Sequence, residues 1–580
     1  MATTNSGASA LLYLHGLSGP EGPYMYQLNS FTLREVIVNS AKHYGDKAAV
    51  GYVGGEGTSY RNFGAAAARL ALRLRAAGIQ AGDRVALLSE NRPEWGVAYF
   101  GITAAGIVCV PILTDFGREQ IGNIMTHAEC RAVIVSEKLK PKLGTGAPDA
   151  YAVEDLLLPA EGSLPDLAAV FPPVKEDSLA AILYTSGTTG NSKGVMMTHK
   201  NLVWDAWSTR SIIKQGRNDR LLSVLPLAHT YECTLGLIGP IIQGPSIWYL
   251  DRPPVASVLI PAMETVRPSI MLTVPIIIEK TFRASVKPSL EKISLYKNPM
   301  FRKLLNRVAG KKLMKKFGGK LRFFGIGGAA LSSDVEQFLI DAKFPYAIGY
   351  GLTETAPLLA GCAPHHTTLR STGPAMKGVD LRIADPNPET GEGEIQAKGP
   401  NVMPGYYKDP EKTAEVFTAD GWFRTGDLGC FDKKGNLYIR GRSKAMILSA
   451  TGENIYPEEI ESLLNSHEYV AESLVYGDGT GVAALVHLKP EVIEKVGAAM
   501  QDSFEGAGEM MENIRKEINA RLSSFSRIGK IDIQKDPFEK TPSQKIKRFL
   551  YPGKKLESGA GSAGSGGGEV PKAGDDKPAK

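Results

Sequence analysis

"ILYTSGTTGNSKGVMMTH", Ile182 to His199, joins an apolar run to a second one through a loop of hydroxyls and glycines followed by a lysine. Leu179 to Tyr184 read as a buried strand ending in an aromatic ring. In the loop, Gly187 and Gly190 permit backbone conformations and a close approach that a Cβ would block. Thr185, Ser186, Thr188 and Thr189 add hydroxyls, and Lys193 adds an ammonium. Successive N–H groups, hydroxyls and one cation make a cradle for phosphate oxygens. The pattern is not G-x-x-x-x-G-K-[ST]: here Gly194 follows the lysine, and Val195 to Met197 is strand-like where that loop would open a helix. A flexible surface turn is the plainer reading. Its position between two buried strands favours a grip on a nucleotide triphosphate.

Working outward, the chain from about residue 31 to 275 alternates strand-like runs with helical patterns. "RVALLSE" (84–90), "GIVCVPI" (106–112) and "RAVIVSE" (131–137) read as strands, and "YRNFGAAAARLALRLRAAG" (60–78) as an amphipathic helix ending at Gly78. Such alternation predicts α/β layers around a largely parallel sheet. A glycine-rich, β-like stretch covers 373–440, and a smaller segment runs on to Tyr551. Beyond it the Gly/Ser-rich tail lacks the apolar residues to build a core and is expected to be disordered.

Bulk composition bounds the function. Over 580 residues the chain is 43% hydrophobic and 22% charged, ordinary values for a globular protein, and a net charge of +6 gives no global reason to bind nucleic acid. Five cysteines (109, 130, 233, 362, 430) form no C-x-x-C pair, which favours a reducing compartment over structural zinc. No signal-peptide pattern and no unbroken 18-residue apolar run is present, so the expected location is cytoplasmic. Residues 279–322 stand apart, with fourteen Lys and Arg against Glu279 and Glu291. Their interleaved apolar residues read either as a solvated helical face packed on the core or as a peripheral contact with an anionic inner membrane face.

"LRFFGIGGAAL" (321–331) imitates the dinucleotide fingerprint, but "KFPYAIGYGLT" has no acidic residue before Glu354 to receive a ribose. Close backbone approach to another flat ligand is the better expectation. Five further stretches complete the pattern: "LPLAHTYE" (225–232) with His229, "IGYGLTETAP" (348–357), "GWFRTGDLG" (421–429), "GRSKAMILSATGENIYPEEIE" (441–461) and "PFEKTPSQKIKRFLY" (537–551). Singly, each reads as a core histidine, a satisfied carboxylate or a solvated basic face. In this order, with "YTSGTTG" and "YGLTE" together, the chain resembles the acyl-adenylate-forming superfamily of AMP-dependent synthetases and ligases, within it the long-chain acyl-CoA synthetases.

The resemblance runs from about residue 31 to 551. It implies an α/β fold: a large multi-layer N-terminal adenylation domain with mixed sheets (31–441) after an extension (1–30), a small mobile α+β C-terminal domain (442–551), and the tail (552–580). By motif, Thr185, Ser186, Gly187, Thr188, Thr189, Gly190 and Lys193 would hold the ATP β- and γ-phosphates, and Gly327, Gly328 and Tyr350 would enclose adenine. Thr353 would contact the α-phosphate, Glu354 would hold Mg²⁺, and Asp427 and Arg442 would bind the ribose. Lys545 would be the catalytic lysine, Lys444 the hinge, and His229 with Tyr231 would stand at an acyl tunnel walled by "MLTVPIIIEK" (271–280). The chain departs from the family's usual pattern at Ser192, Ala445, Thr451 and Gln544. The implied reaction turns a medium- to long-chain fatty acid, ATP and CoA into acyl-CoA, AMP and pyrophosphate. Acyl-carrier protein is the alternative acceptor, and a non-catalytic lipid-binding scaffold is the alternative of another class.

Overall fold

The computed structural model describes residues 26–158, 165–185, 193–449, 453–479, 481–492, 505–541 and 546–551. Two sheets dominate. The six-stranded one runs, in spatial order, Asp149–Ala152, Cys130–Val135, Arg84–Leu88, Val108–Pro111, Leu179–Thr185, Lys193–Thr198. Its pairs are parallel except the last, where the two runs flanking the opening loop meet antiparallel with Tyr184 opposite Gly194 and Thr185 opposite Lys193. Parallel strands buried on both faces read as near-continuous apolar runs, as "AVIV" and "VALL" do here.

The eight-stranded sheet is mixed: Leu358–Gly361, Tyr346–Gly351, Phe323–Ile326, Ile270–Thr273, Arg220–Ser223, Ser246–Tyr249, Ala48–Tyr52, Gly57–Ser59. Only its two outermost pairs are antiparallel. Helices Leu33–Tyr44, Tyr60–Ala76, Pro93–Thr103 and His199–Ser208 fill one core shared by both sheets, through residues such as Val36, Phe63, Trp95 and Trp204. The far face of the six-stranded sheet buries Ala86, Val110 and Ile182 against Ile121, Ile124 and Met125 of helix Arg118–His127. Helix Tyr60–Ala76 starts where the Ser59 hydroxyl accepts from the Asn62 N–H, and past its end Gly78 takes a φ of +79°.

An antiparallel four-stranded sheet follows: Asp380–Ala384, Gly393–Lys398, Phe423–Phe431, Leu437–Arg442. The small C-terminal domain is α+β. Its helices Pro457–Asn465 and Glu505–Asn519 pack on a three-stranded sheet of Val470–Gly477, Val482–Leu488 and Ile528–Ile533 around Ile460, Leu464, Val486, Ile514 and Ile528. It meets the large domain through Glu459, which receives Arg370 at 3.0 Å and Arg440 at 3.5 Å, and through the Tyr456 hydroxyl, which donates to Glu392 at 2.8 Å.

The basic segment differs from a single amphipathic helix. One helical run, Pro275–Thr281 continuing through the wider turns Phe282–Val286 into Lys287–Glu291, is followed by a tight turn Ser294–Lys297 and the long helix Pro299–Lys316. Pro299 supplies no N–H and stands in the first turn of the long helix, whereas Pro288 lies inside the run 275–291, just past its wide turns. Its apolar residues divide between faces: Leu313 and Phe317 are buried, whereas Leu295, Met300 and Leu304 are exposed.

Candidate active site

The carboxyl ends of parallel strands are where open α/β sheets bind ligands, because chain exits there leave a crevice. Arg220–Ser223, Ile270–Thr273, Phe323–Ile326 and Tyr346–Gly351 run parallel, so His229, Gly327, Tyr350 and Thr353, which follow them or end them, gather at one edge. Gly327 donates its N–H to the Thr273 carbonyl at 3.1 Å, and Gly328 has a φ of +84°. The close approach expected at Gly327 is made here by Tyr231: a Cβ on Gly327 would lie 3.2 Å from its ring. His229 is half-buried and its Nδ1 accepts from the Tyr231 N–H at 3.2 Å.

Glu354 lies in the tight turn Thr353–Thr355 at the end of Tyr346–Gly351. Asn401, fully buried, donates to the carbonyls of Thr355 (3.0 Å) and Leu358 (2.8 Å), and buried Asp205 accepts the Leu358 N–H at 3.3 Å. Burial holds the Asp205 carboxyl well above the usual carboxylate range. These contacts fix the turn from behind.

One loop joins the turn to the lysine of the opening stretch. In "NVMPGYYKDP" (401–410), the Met403 N–H donates to the Glu354 carbonyl at 2.9 Å, while Tyr407 N–H donates to the Gly194 carbonyl at 2.7 Å. Tyr406 therefore sits between them. Its hydroxyl donates to Glu354 Oε1 at 3.0 Å, and Lys193 Nζ stands 5.2 Å from the centre of its ring. Gly194 admits this approach, since a Cβ there would lie 3.3 Å from Tyr407 Cβ. Burial, then Glu354, raises the Tyr406 hydroxyl, and Arg442 opposes. Burial lowers the Lys193 ammonium, with Lys412 and Lys444 adding to that and Glu354 opposing. Tyr406, Asn401 and Asp205 were not singled out from sequence. The one available signal was a Pro-Gly turn followed by paired tyrosines.

A second cluster lies beside it. Asp427 and Arg442 face each other across neighbouring strands and pair at 2.7 Å, and the Tyr350 hydroxyl donates to the other Asp427 oxygen at 2.7 Å. The Arg442 guanidinium also reaches the Thr425 carbonyl at 3.3 Å. Lys444 follows in the exposed turn Ser443–Ala445, between this sheet and the small domain. Ser186, Gly187, Thr188, Thr189, Gly190 and Lys545 lie outside the described residues, as do Ser192, Thr451 and Gln544. Thr185 and Lys193 mark the two ends of the phosphate loop.

Behind Tyr231, an apolar slot is lined by Ile212, Tyr231, Leu235, Leu272, Ile348 and their neighbours, and among the described residues no charged side chain borders it. It encloses about 50 Å³, well below the roughly 300–1,000 Å³ of a ligand-filled pocket. Leu272 of the stretch 271–280 contributes to this wall, whereas Ile276 of the same stretch points outward and is exposed.

Comparison with known proteins places this geometry. The human "Long-chain-fatty-acid--CoA ligase 1" is 31% identical over 510 residues, 78% of this chain and 72% of that protein. A "Feruloyl-CoA synthase" from an Amycolatopsis species is 31% identical over 442 residues, 73% of this chain and 81% of that one. The ATP-bound structure of MatB from Rhodopseudomonas palustris superposes with a TM-score of 0.72 at 26% identity, covering 90% of this chain and 98% of that chain. The sequence pattern of the AMP-binding enzymes matches residues 37–407, and that of their C-terminal domain matches 444–551. Lys193, Glu354 and Tyr406 all lie within the first span, Lys444 opens the second, and the chain belongs to the AMP-binding, acyl-adenylate-forming enzymes.

Proposed function

We propose that the protein activates a medium- to long-chain fatty acid with ATP and transfers the acyl group to CoA, releasing AMP and pyrophosphate. The coarser part, ATP-dependent acyl adenylation leading to an acyl-CoA, goes with the family. The choice of acid rests on the character of the slot behind Tyr231, which would have to widen to take an acyl chain and whose wall carries no charged side chain among the described residues. An acid carrying a second charge would leave it unpaired there, at a cost of several kcal/mol, whereas a hydrocarbon chain asks only for apolar contact. The human relative's name points the same way.

A carboxylate is a poor acyl donor because its leaving group would be oxide. Attack on the ATP α-phosphate makes a mixed anhydride whose leaving group is AMP, but an anion must first approach a polyanion. Lys193 and the flanking hydroxyls of Thr185 to Thr189 are proposed to hold the β- and γ-phosphates, and Lys545 to neutralise charge growing on the α-phosphoryl oxygens. Thr353 is proposed to steady that phosphate, and Asp427 with Arg442 to seat the ribose. Tyr350, Gly327 and Gly328 would then border the adenine. Tyr406 engages one Glu354 oxygen among the described residues, and the remaining oxygen, beside the proposed phosphate site, suits a hard cation that shares substrate phosphates. Mg²⁺, if held there, would supply charge neutralisation at the phosphoryl oxygens. Otherwise the protein's work is positioning. The second step needs a thiol at the anhydride carbonyl and Lys545 withdrawn, so the small domain must present two faces, with Lys444 as the pivot.

The test is an acid panel with thioester products identified. Purified protein is offered fatty acids of graded length, aromatic acids and dicarboxylic acids, with CoA or acyl-carrier protein as acceptor. The reading expects CoA thioesters of medium to long fatty acids to dominate kcat/KM. Dominant turnover of an aromatic acid or dicarboxylic acid would overturn the substrate assignment, and carrier-protein thioesters without CoA thioesters would overturn the acceptor.

A further inference from the structure

Helix Pro299–Lys316 is anchored on one side only. Leu313 and Phe317 are buried, Phe317 meets Phe324 and Phe344 edge-on at 5.4 and 5.8 Å, Asn306 donates to Asp341 at 3.0 Å, and Gly310 lies where a Cβ would meet Ala342 at 2.6 Å. With that face fixed, a helical period of 3.6 residues directs Met300, Leu304 and Val308 away from the protein, and then Lys311, Lys312 and Lys315. Exposure agrees: Met300 is 82% exposed, Leu304 58% and Val308 49%, with Leu295 of the preceding turn at 52%. Apolar side chains spaced by four residues on the outer face have no neighbour to cover them here.

Most of the charges around them stand outside the ion pairs of the described residues. Among the described residues the segment's ion pairs are Arg283–Asp334, Lys287–Glu291 and Arg322–Asp219, all away from the outer face of this helix. Lys303, Arg307, Lys311, Lys312 and Lys315 join none of the ion pairs there. An exposed apolar row that runs into a lysine cluster fits one kind of surface: hydrocarbon at one depth and negative headgroups just above it. A folded protein partner would more often present a groove for the row, and nucleic acid would give the apolar residues nothing to enter. No described helix is long and apolar enough to cross a membrane, so the contact is peripheral.

We propose that the outer face of helix 299–316 docks on an anionic lipid bilayer, with Leu295, Met300, Leu304 and Val308 entering the acyl boundary and Lys311, Lys312 and Lys315 lying against the headgroups. The purpose of such a contact, delivery of a lipid-soluble acid, rests on the proposed substrate, but the docking itself does not. Its test therefore contains no ATP, acid or CoA. Full-length protein is sedimented with vesicles of phosphatidylcholine alone and of phosphatidylcholine mixed with phosphatidylglycerol, at low and high salt. Binding to the anionic vesicles, weakened by salt, is expected, with little on neutral ones.

The Lys311→Glu/Lys312→Glu/Lys315→Glu variant should lose at least about tenfold in affinity, given the attraction each basic residue contributes near an anionic surface. The Met300→Ser/Leu304→Ser/Val308→Ser variant should also bind more weakly, and its residual binding should vanish at high salt. These positions are exposed, so both variants should melt as the wild type does. Absence of wild-type binding at low salt overturns the proposal. So does an apolar variant that binds like wild type, which would reduce the patch to a polyanion site, or tight retention on DNA without retention on vesicles. A failed acid panel with intact vesicle binding would instead sink the substrate reading alone.

Discussion

Glu354 and Tyr406 are 52 residues apart in sequence and 3.0 Å apart in space, and that contact is the first to test. Tyr406→Phe removes a hydrogen bond to a charged group, a loss of about 1.5–3 kcal/mol if it is fully used in the transition state. The expected outcome is a fall in kcat/KM of roughly tenfold or more and a higher magnesium requirement, read from initial rates across a magnesium titration. An unchanged titration would separate Tyr406 from the metal. Glu232, next to Tyr231 in the wide helical run Tyr231–Ile238, gives a prediction with a pH sign. It is fully buried, accepts from the Ser223 hydroxyl at 2.5 Å, and burial raises its carboxyl from 4.5 to about 8. Because the folded value lies above the unfolded one, the neutral acid's contribution is complete below about pH 4.5 and is lost as pH rises through about 8. Wild type should lose about 1 kcal/mol between about pH 7 and 9 from this group, and Glu232→Gln should flatten that slope in denaturant melts. A slope identical in both proteins would assign the loss to other groups. At this scale motif and order single out Thr185, Lys193, Glu354, Asp427 and Arg442, whereas the contact between Asp427 and Arg442 is a finding of the structure. Motif and order do not show Tyr406, Asn401 or Asp205, because what selects those residues is a long-range approach: a backbone pairing at Gly194 and a turn held from behind.

Among the elements, the strands were legible because burial on both faces leaves uninterrupted apolar runs, and the helix at 60–76 because its caps agree with its period. The mixed character of the eight-stranded sheet was harder, since its antiparallel edges depend on which strands meet, a property of topology. The basic segment, one pattern in sequence, divides after Glu291, and its long second helix begins at Pro299. Lys444 occupies a tight turn directly after strand Leu437–Arg442 and before the small domain's first hairpin at Ile447. Proline at this position fixes φ and removes an N–H, so Lys444→Pro should slow thioester formation at least about tenfold more than adenylation if rotation about this turn separates the half-reactions. The check is single-turnover adenylate formation against thioester formation from supplied acyl-AMP. An equal loss in both would place the pivot elsewhere. Tyr231 tests the slot in the same way: Tyr231→Ala removes the ring that presses on Gly327 and should shift kcat/KM toward bulkier acids, with no shift meaning that the ring does not bound the acyl site.

At the scale of the whole molecule, two domains and one loop explain why a catalyst of this kind needs so much chain. The large domain's parallel strands bring His229, Gly327, Tyr350 and Glu354 to one edge, the Pro400–Tyr407 loop binds that edge to Lys193, and the small domain docks through Glu459 and Tyr456. The central claim is that this assembly joins an acid to AMP before any thiol takes part. Acid-dependent exchange of labelled pyrophosphate into ATP, measured with CoA absent, tests it most directly. The account predicts exchange that requires both magnesium and a medium- to long-chain fatty acid, with AMP appearing only when CoA is added in quantity. Hydrolysis to ADP and phosphate, or thioester formation with no exchange under any acid, would contradict it.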